Sequence, residues 1–273
     1  MIETIHLFPI LDQKLIELLK SLSSEDWNRK TVAKLWTVKD IAAHLLDGNF
    51  RTLSLSRDKH SLIPGTDIDS YQQLVDYLNR LNAEWVIASK RLSQTVIIEL
   101  LETTGKQYSA YLANLDPEAE AIFSVAWAGE QVSKNWFHIA REYTEKWHHQ
   151  QQIRDATGKQ GIMTRELFYP VMDTFMCGLP HTYRNSFGDM GSIVRITVES
   201  ETGGEWFVIK KETGWELSKE NQTNITAWLS IEPDTAWKLF TKAITPDEAM
   251  KSVTIDGNKE IAIVALRLIA VMA

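Results

Sequence analysis

Apolar residues recur every three or four positions up to about residue 180, and in short alternating runs after about residue 190. In "PILDQKLIELLKSL" the residues Ile10, Leu11, Leu15, Leu18, Leu19 and Leu22 share one helical face. In "WTVKDIAAHLLDGNFRTLSLSRD", Thr37 is followed three residues later by Asp40, a variant capping box that predicts a helix from about residue 38. A third helical run starts near Ser70 and breaks and restarts before residue 115. A fourth extends from about Gln131 to Ala156, with Gly158 as its C-cap. Together these predict a four-helix bundle, with one more helix over residues 164–178.

Residues 178–192, "GLPHTYRNSFGDMGS", have the composition of a linker. Beyond them "IVRITVES" alternates Val194, Ile196 and Val198, "GGEWFVIKKETGWELS" reads as strand, turn and strand, and "NITAWLSI" alternates again. Pro233 and Pro246 sit where first-turn prolines open helices, and Ile261, Val264, Ala265 and Leu268 predict a final helix. The expected fold is an N-terminal four-helix bundle over residues 1–183 followed by a small α+β domain over residues 190–273.

Composition narrows the function. A net charge of -7 with interspersed acids and bases argues against nucleic acid and for a small-molecule partner. The N-terminus "MIETIHLFPI" has no signal-peptide character, and the longest apolar run, "IAIVALRLIAVMA", is short and carries Arg267. No membrane association and a cytoplasmic location are therefore expected; the oligomeric state is open. Cys177 is the only cysteine, so neither an internal disulfide nor a multi-cysteine metal site is available, and its apolar neighbours predict a buried, inert thiol.

The candidate chemistry lies in His44 on the second helix and in Glu145 and His149, four residues apart on the fourth. Two imidazoles and a carboxylate suit zinc, leaving one coordination position open, and also accept Ni2+, Fe2+ or Mn2+. Periodicity leaves a second reading open. Trp136, Ala140, Tyr143 and Trp147 form one stripe at ~100° per residue, and His138, Glu142, Glu145 and His149 lie nearly opposite. A solvated Glu–His pair has the same spacing, and His44, beside the stripe of Ile41, Ala42, Leu45 and Leu46, could be a core-edge histidine. His148 points ~100° away from His149 and is expected to take an ordinary role, as are His6, His60, His138 and His181.

The segment "LWTVKDIAAHLL" resembles the Trp-[Ser/Thr]-x-x-[Asp/Glu]-[Ile/Val]-x-x-His-Leu motif of the DinB-like superfamily. "EKWHHQQQIRDATG" is similar to the Glu-x-x-x-His-x-x-Asp-[Ile/Leu]-x-x-Ala-x-Gly motif of its mycothiol-dependent maleylpyruvate isomerase branch. The resemblance implies a DinB-type bundle with a sterol-carrier-like second domain, and a divalent metal, usually zinc, held by His44, Glu145 and His149. It also implies a low-molecular-weight thiol as co-reactant. Two positions depart from the family: its Asp is Gln152 here, and a catalytic Arg of the second domain is matched by Lys242, which keeps the charge without the bidentate fork. Lys outnumbers Arg 18 to 11, unlike the proteins of the high-GC organisms that make mycothiol, so another thiol, or none, is expected.

The expected activity is thiol-dependent S-transfer or isomerisation of a small electrophilic substrate, with Lys242 and, secondarily, Arg141 as catalytic cations. The alternatives are a zinc hydrolase using metal-bound hydroxide with Glu142 or Asp47 as base, and a non-enzymatic small-ligand-binding protein.

Overall fold

The computed structural model describes residues 1–60 and 68–272. By packing, the chain divides into two units: residues 3–122 with 142–162 and the C-terminal tip, and residues 123–141 with 163–271 and the N-terminal tip. These units do not follow the boundary expected between residues 183 and 190, because residues 123–141 and 163–183 group with the sheet.

The first unit is the helical one. It contains α1 (Phe8–Lys20), α2 (Val38–Arg51), α3 (Tyr71–Ser89), α4 (Gln94–Ala113) and most of α5 (Asn135–Thr157). The start of α2 is fixed by the expected reciprocal cap: Asp40 Oδ2 accepts from the Thr37 backbone N–H at 2.9 Å, and Thr37 Oγ1 accepts from the Asp40 N–H at 3.3 Å. The restart between α3 and α4 is set by Ser93, whose hydroxyl caps Val96 N–H. Gly158 adopts φ 66° at the end of α5, where the Lys159 N–H closes back on the Arg154 carbonyl. Leu15, Leu19, Ile41, Leu45, Ile97 and Ile153 belong to one apolar core that joins α1, α2, α4 and α5.

A helix with neighbours on several sides has no water-facing stripe. Tyr143 and Trp147 on α5 are fully buried, and His148, His149 and Gln150 on its other faces are buried as well. The reading in which the pair faces water is thereby corrected for His149, while Glu145 keeps about a third of its side chain exposed (32%).

The second unit is built on a five-stranded sheet, in the order β3-β2-β1-β4-β5, of β1 (Ile193–Val198), β2 (Gly204–Lys211), β3 (Gly214–Ser218), β4 (Ala227–Ile231) and β5 (Val253–Gly257). Only β1 and β4 run parallel. Val194, Ile196 and Val198 alternate inward on β1, and Leu229 stands beside Ile196 on β4. The helices α6 (Arg165–Met176), α7 (Leu179–Tyr183), α8 (Pro233–Phe240), α9 (Pro246–Ala249) and α10 (Lys259–Ala262) complete the unit, with Pro233 and Pro246 in first turns.

Two local readings are corrected. Part of the expected linker is helix α7: Leu179 and Tyr183 are fully buried, and the Tyr183 hydroxyl donates to the Ile261 carbonyl at 2.9 Å. The final helix expected over Ile261–Leu268 is α10 followed by a 3-10 turn over Ile263–Arg267. No helix among the described residues is long and apolar enough to cross a membrane.

Candidate metal centre

Side chains from α2 and α5 meet in the helical unit. The rings of His44 and His149 lie 4.6 Å apart, nearly edge to face, and Trp36 lies 4.8 Å from the His44 ring. Glu145, His148 and His149 each present one ligand atom within 4.8 Å of the others. The structure thus brings together His44, Glu145 and His149, and adds His148, which helical angles alone had set aside. Angles describe where Cβ leaves the helix; two adjacent imidazoles are long enough to converge, with ring centres 3.9 Å apart.

Hydrogen bonds fix the form of two of these rings. His148 Nδ1 lies 3.0 Å from the Thr144 carbonyl oxygen, which can only accept, so Nδ1 carries the proton. His149 Nδ1 donates in the same way to Gln152 Oε1 at 2.9 Å. Gln152, which replaces an expected carboxylate, therefore still anchors the ring, through a neutral amide oxygen. His149 is left with its Nε2 lone pair unprotonated, as a metal ligand requires, while the His148 atom nearest Glu145 Oε2, at 3.9 Å, is the Nδ1 that donates to Thr144.

Burial keeps the rings neutral. It pushes the His148 pKa down to about 4, against the Thr144 hydrogen bond. His149 goes down to about 3, through burial and then the neighbouring His148, with Glu145 and Gln152 opposing. His44 is held well below its usual range, by burial first and then by His149 and Arg51. Neutral imidazole is the form that binds metal.

In this tautomer His149 Nε2 directs a lone pair towards Glu145 Oε2, 3.6 Å away. Two electron-pair acceptors at that separation repel unless a cation lies between them. Ligands of a tetrahedral zinc, at about 2.0–2.1 Å from the metal, stand roughly 3.3 Å from one another, so the observed gap fits a shared divalent ion. His44 Nδ1 is buried and has no hydrogen-bond partner, a second unmet valence in the same cluster.

The remaining candidates have surroundings of their own. Asp47 is buried, its pKa raised by desolvation against the pull of Arg51, which it meets at 3.0 Å. Glu142 accepts a short hydrogen bond from the Tyr108 hydroxyl. Arg141 bonds His138 Nδ1 at 2.7 Å. Lys242 is an exposed residue of the sheet unit, in the left-handed turn after α8 with φ 63°.

Residues 8–154, more than half of the chain, match the family described as the mycothiol maleylpyruvate isomerase N-terminal domain. The chain belongs to this family. No curated protein matches the sequence. Among solved structures, the mycothiol-dependent maleylpyruvate isomerase aligns over 92% of this chain and 91% of its own, with TM-score 0.56 and 8% identity. A histidine-to-alanine mutant of the same isomerase aligns with the same coverage and identity at TM-score 0.55. At that identity the likeness establishes the fold, a helical bundle followed by a small α+β domain. A sterol carrier protein domain 2 from Helicoverpa armigera aligns at TM-score 0.24 with 16% identity over 37% of this chain, too slight to bear on the shape of the second domain.

Proposed function

We propose that this protein is a metal-dependent enzyme that uses a low-molecular-weight thiol to isomerise, or to transfer sulfur to, a small electrophilic substrate. The observation that carries the reading is the pair of lone pairs on His149 Nε2 and Glu145 Oε2, facing across 3.6 Å beside two further neutral imidazoles. Family membership supports the thiol, since the structurally similar isomerase is mycothiol-dependent.

In this reading His44, Glu145 and His149 hold the ion, with zinc the expected metal. When bound, it would lower the pKa of a coordinated thiol so that a thiolate exists at neutral pH. Gln152 holds the His149 ring in the ligating tautomer, and Trp36 packs against the His44 ring. Addition of the thiolate to an activated alkene forms a C–S bond and moves the π pair onto the adjacent carbon. After rotation, return of that pair would break the C–S bond and give back the thiolate with the isomerised alkene; protonation of the carbon instead would give the S-transfer product. Lys242 and Arg141 are proposed as cations for an anionic substrate. The hydrolase alternative draws support from Asp47 alone, a buried carboxyl with raised proton affinity one turn from His44.

The test is metal content of the purified protein against His149→Ala, followed by consumption of an electrophile such as maleimide with and without added thiol. Near-stoichiometric metal that falls by more than about a hundredfold in affinity in the variant, with metal-dependent turnover only when thiol is added, is the expected result. Wild-type protein that takes up no metal sinks the site, and ester turnover without thiol moves the hydrolase forward.

A further inference from the structure

Arg51 is the last residue of α2, seven positions after His44. Seven residues make two turns with an offset of about 20°, so both side chains leave the same helix face roughly 10 Å apart along the axis. Helical side chains lean towards the N-terminus, which aims Arg51 back over Asp47 and towards His44. Its Nε meets Asp47 Oδ2 at 3.0 Å, and the side chain remains 37% exposed. Beyond this ion pair no described residue accepts a hydrogen bond from the guanidinium, so its outer edge is open to a ligand.

Such an arrangement is a poor stabilising device, because a half-exposed monodentate pair contributes little. It is a good recognition device. One carboxylate orients the guanidinium, and the free edge keeps the planar fork that matches a second carboxylate. With Glu145 and Asp47 ionised, Arg51 charged and a divalent ion bound, the site remains net positive and favours an incoming anion.

We propose that Arg51 is a carboxylate-recognition residue beside the metal centre, and that either the thiol or the electrophile handled there carries a carboxylate a few bonds from its reacting atom. This rests on the metal-site reading above.

The test uses the cobalt-substituted full-length protein and visible spectroscopy. The thiol arm compares 3-mercaptopropionate with 3-mercaptopropionamide, and the electrophile arm compares maleate with maleamide. In at least one arm the wild type should bind the carboxylate about tenfold more tightly than its amide, the scale of one charge-assisted hydrogen bond. Whichever arm shows the preference identifies the carboxylate's source. Arg51→Gln should bring that ratio to about one. Asp47→Asn should raise it, because the carboxylate competing for Arg51 is gone. A purely structural ion pair would give both variants the same sign. Equal affinities in both wild-type arms, or a ratio that survives Arg51→Gln, overturns the Arg51 proposal while leaving the metal centre standing. Failure to take up cobalt overturns both.

Discussion

Helix α5 carries two buried polar clusters of opposite character. Around Lys146 a network closes on itself: Nζ donates to Asp12 Oδ1 at 3.0 Å and to Asn49 Oδ1 at 2.9 Å, and Asn49 Nδ2 donates to Thr104 Oγ1 at 2.9 Å. The ammonium also lies 4.5 Å from the centre of the Tyr108 ring. Around His149, by contrast, lone pairs face one another and His44 Nδ1 has no partner. Buried polar groups of both kinds are costly, and the first cluster satisfies them with bonds between its own members. The contrast separates a network that ties α1, α2, α4 and α5 together from a cluster that leaves the buried Nδ1 of His44 without a hydrogen bond. Gln150, fully buried with neither side-chain polar atom partnered, fits neither class, and nothing in the structure explains it.

The largest effect should come from breaking the closed network. Lys146→Met strands Asp12 and is expected to cost about 3–5 kcal/mol in urea denaturation, towards the lower end because Asp12 keeps some solvent contact. Metal affinity, measured in parallel by chelator competition, should change far less; a joint collapse would mean the two clusters are one. The next effect strikes only the open cluster. Gln152→Leu removes the acceptor that anchors His149 Nδ1 and should weaken metal binding by about 10–100-fold, with a small change in metal-free stability. Unaltered affinity would show that the ring needs no anchor.

The smallest effect per step is a pH dependence. His148 and His149 are depressed from 6.5 to about 4 and about 3, so the unfolded chain binds their protons first as pH falls. Their contribution is complete above pH 6.5 and is lost below it. The metal-free protein should lose up to about 1.4 kcal/mol per pH unit for each histidine between pH 6.5 and 4. That slope should shrink by the share of these two on replacing both residues with Asn, leaving the part that the buried His44 contributes, and persist in full in Lys146→Met. A flat stability curve in the wild type would show that the rings are not buried in neutral form.

Much of this was legible in the sequence because it is written locally. The Thr37–Asp40 cap, Gly158, and the prolines 233 and 246 act within one turn, and the expected boundaries follow them. What was not legible depends on packing. Strand β5 was missed because "VTIDG" is half-buried or exposed along its whole length at the sheet edge, with no inward alternation to mark it. Helix α7 was hidden by turn-like composition, although Pro180 stands in its first turn and Tyr183 is wholly buried. In the site, the spacing of Glu145 and His149 and the motif around His44 pointed to their meeting. His148 was set aside because an angle per residue takes no account of side-chain length. The burial of the polar face of α5 could not be read from α5 at all, since it depends on what the neighbouring helices place there.

The single sulfhydryl of the chain has a consequence for any chemistry that handles electrophiles. Cys177 donates to the Asp173 carbonyl at 3.5 Å, and burial drives its pKa up to about 12. At neutral pH almost none of it is ionised, so it is a very slow target for the same alkylating molecules that a thiol-using site would process. The protein is in effect sulfur-silent: it can sit among reactive alkenes without being consumed by them, and any thiolate that reacts in its presence has to be supplied by its surroundings.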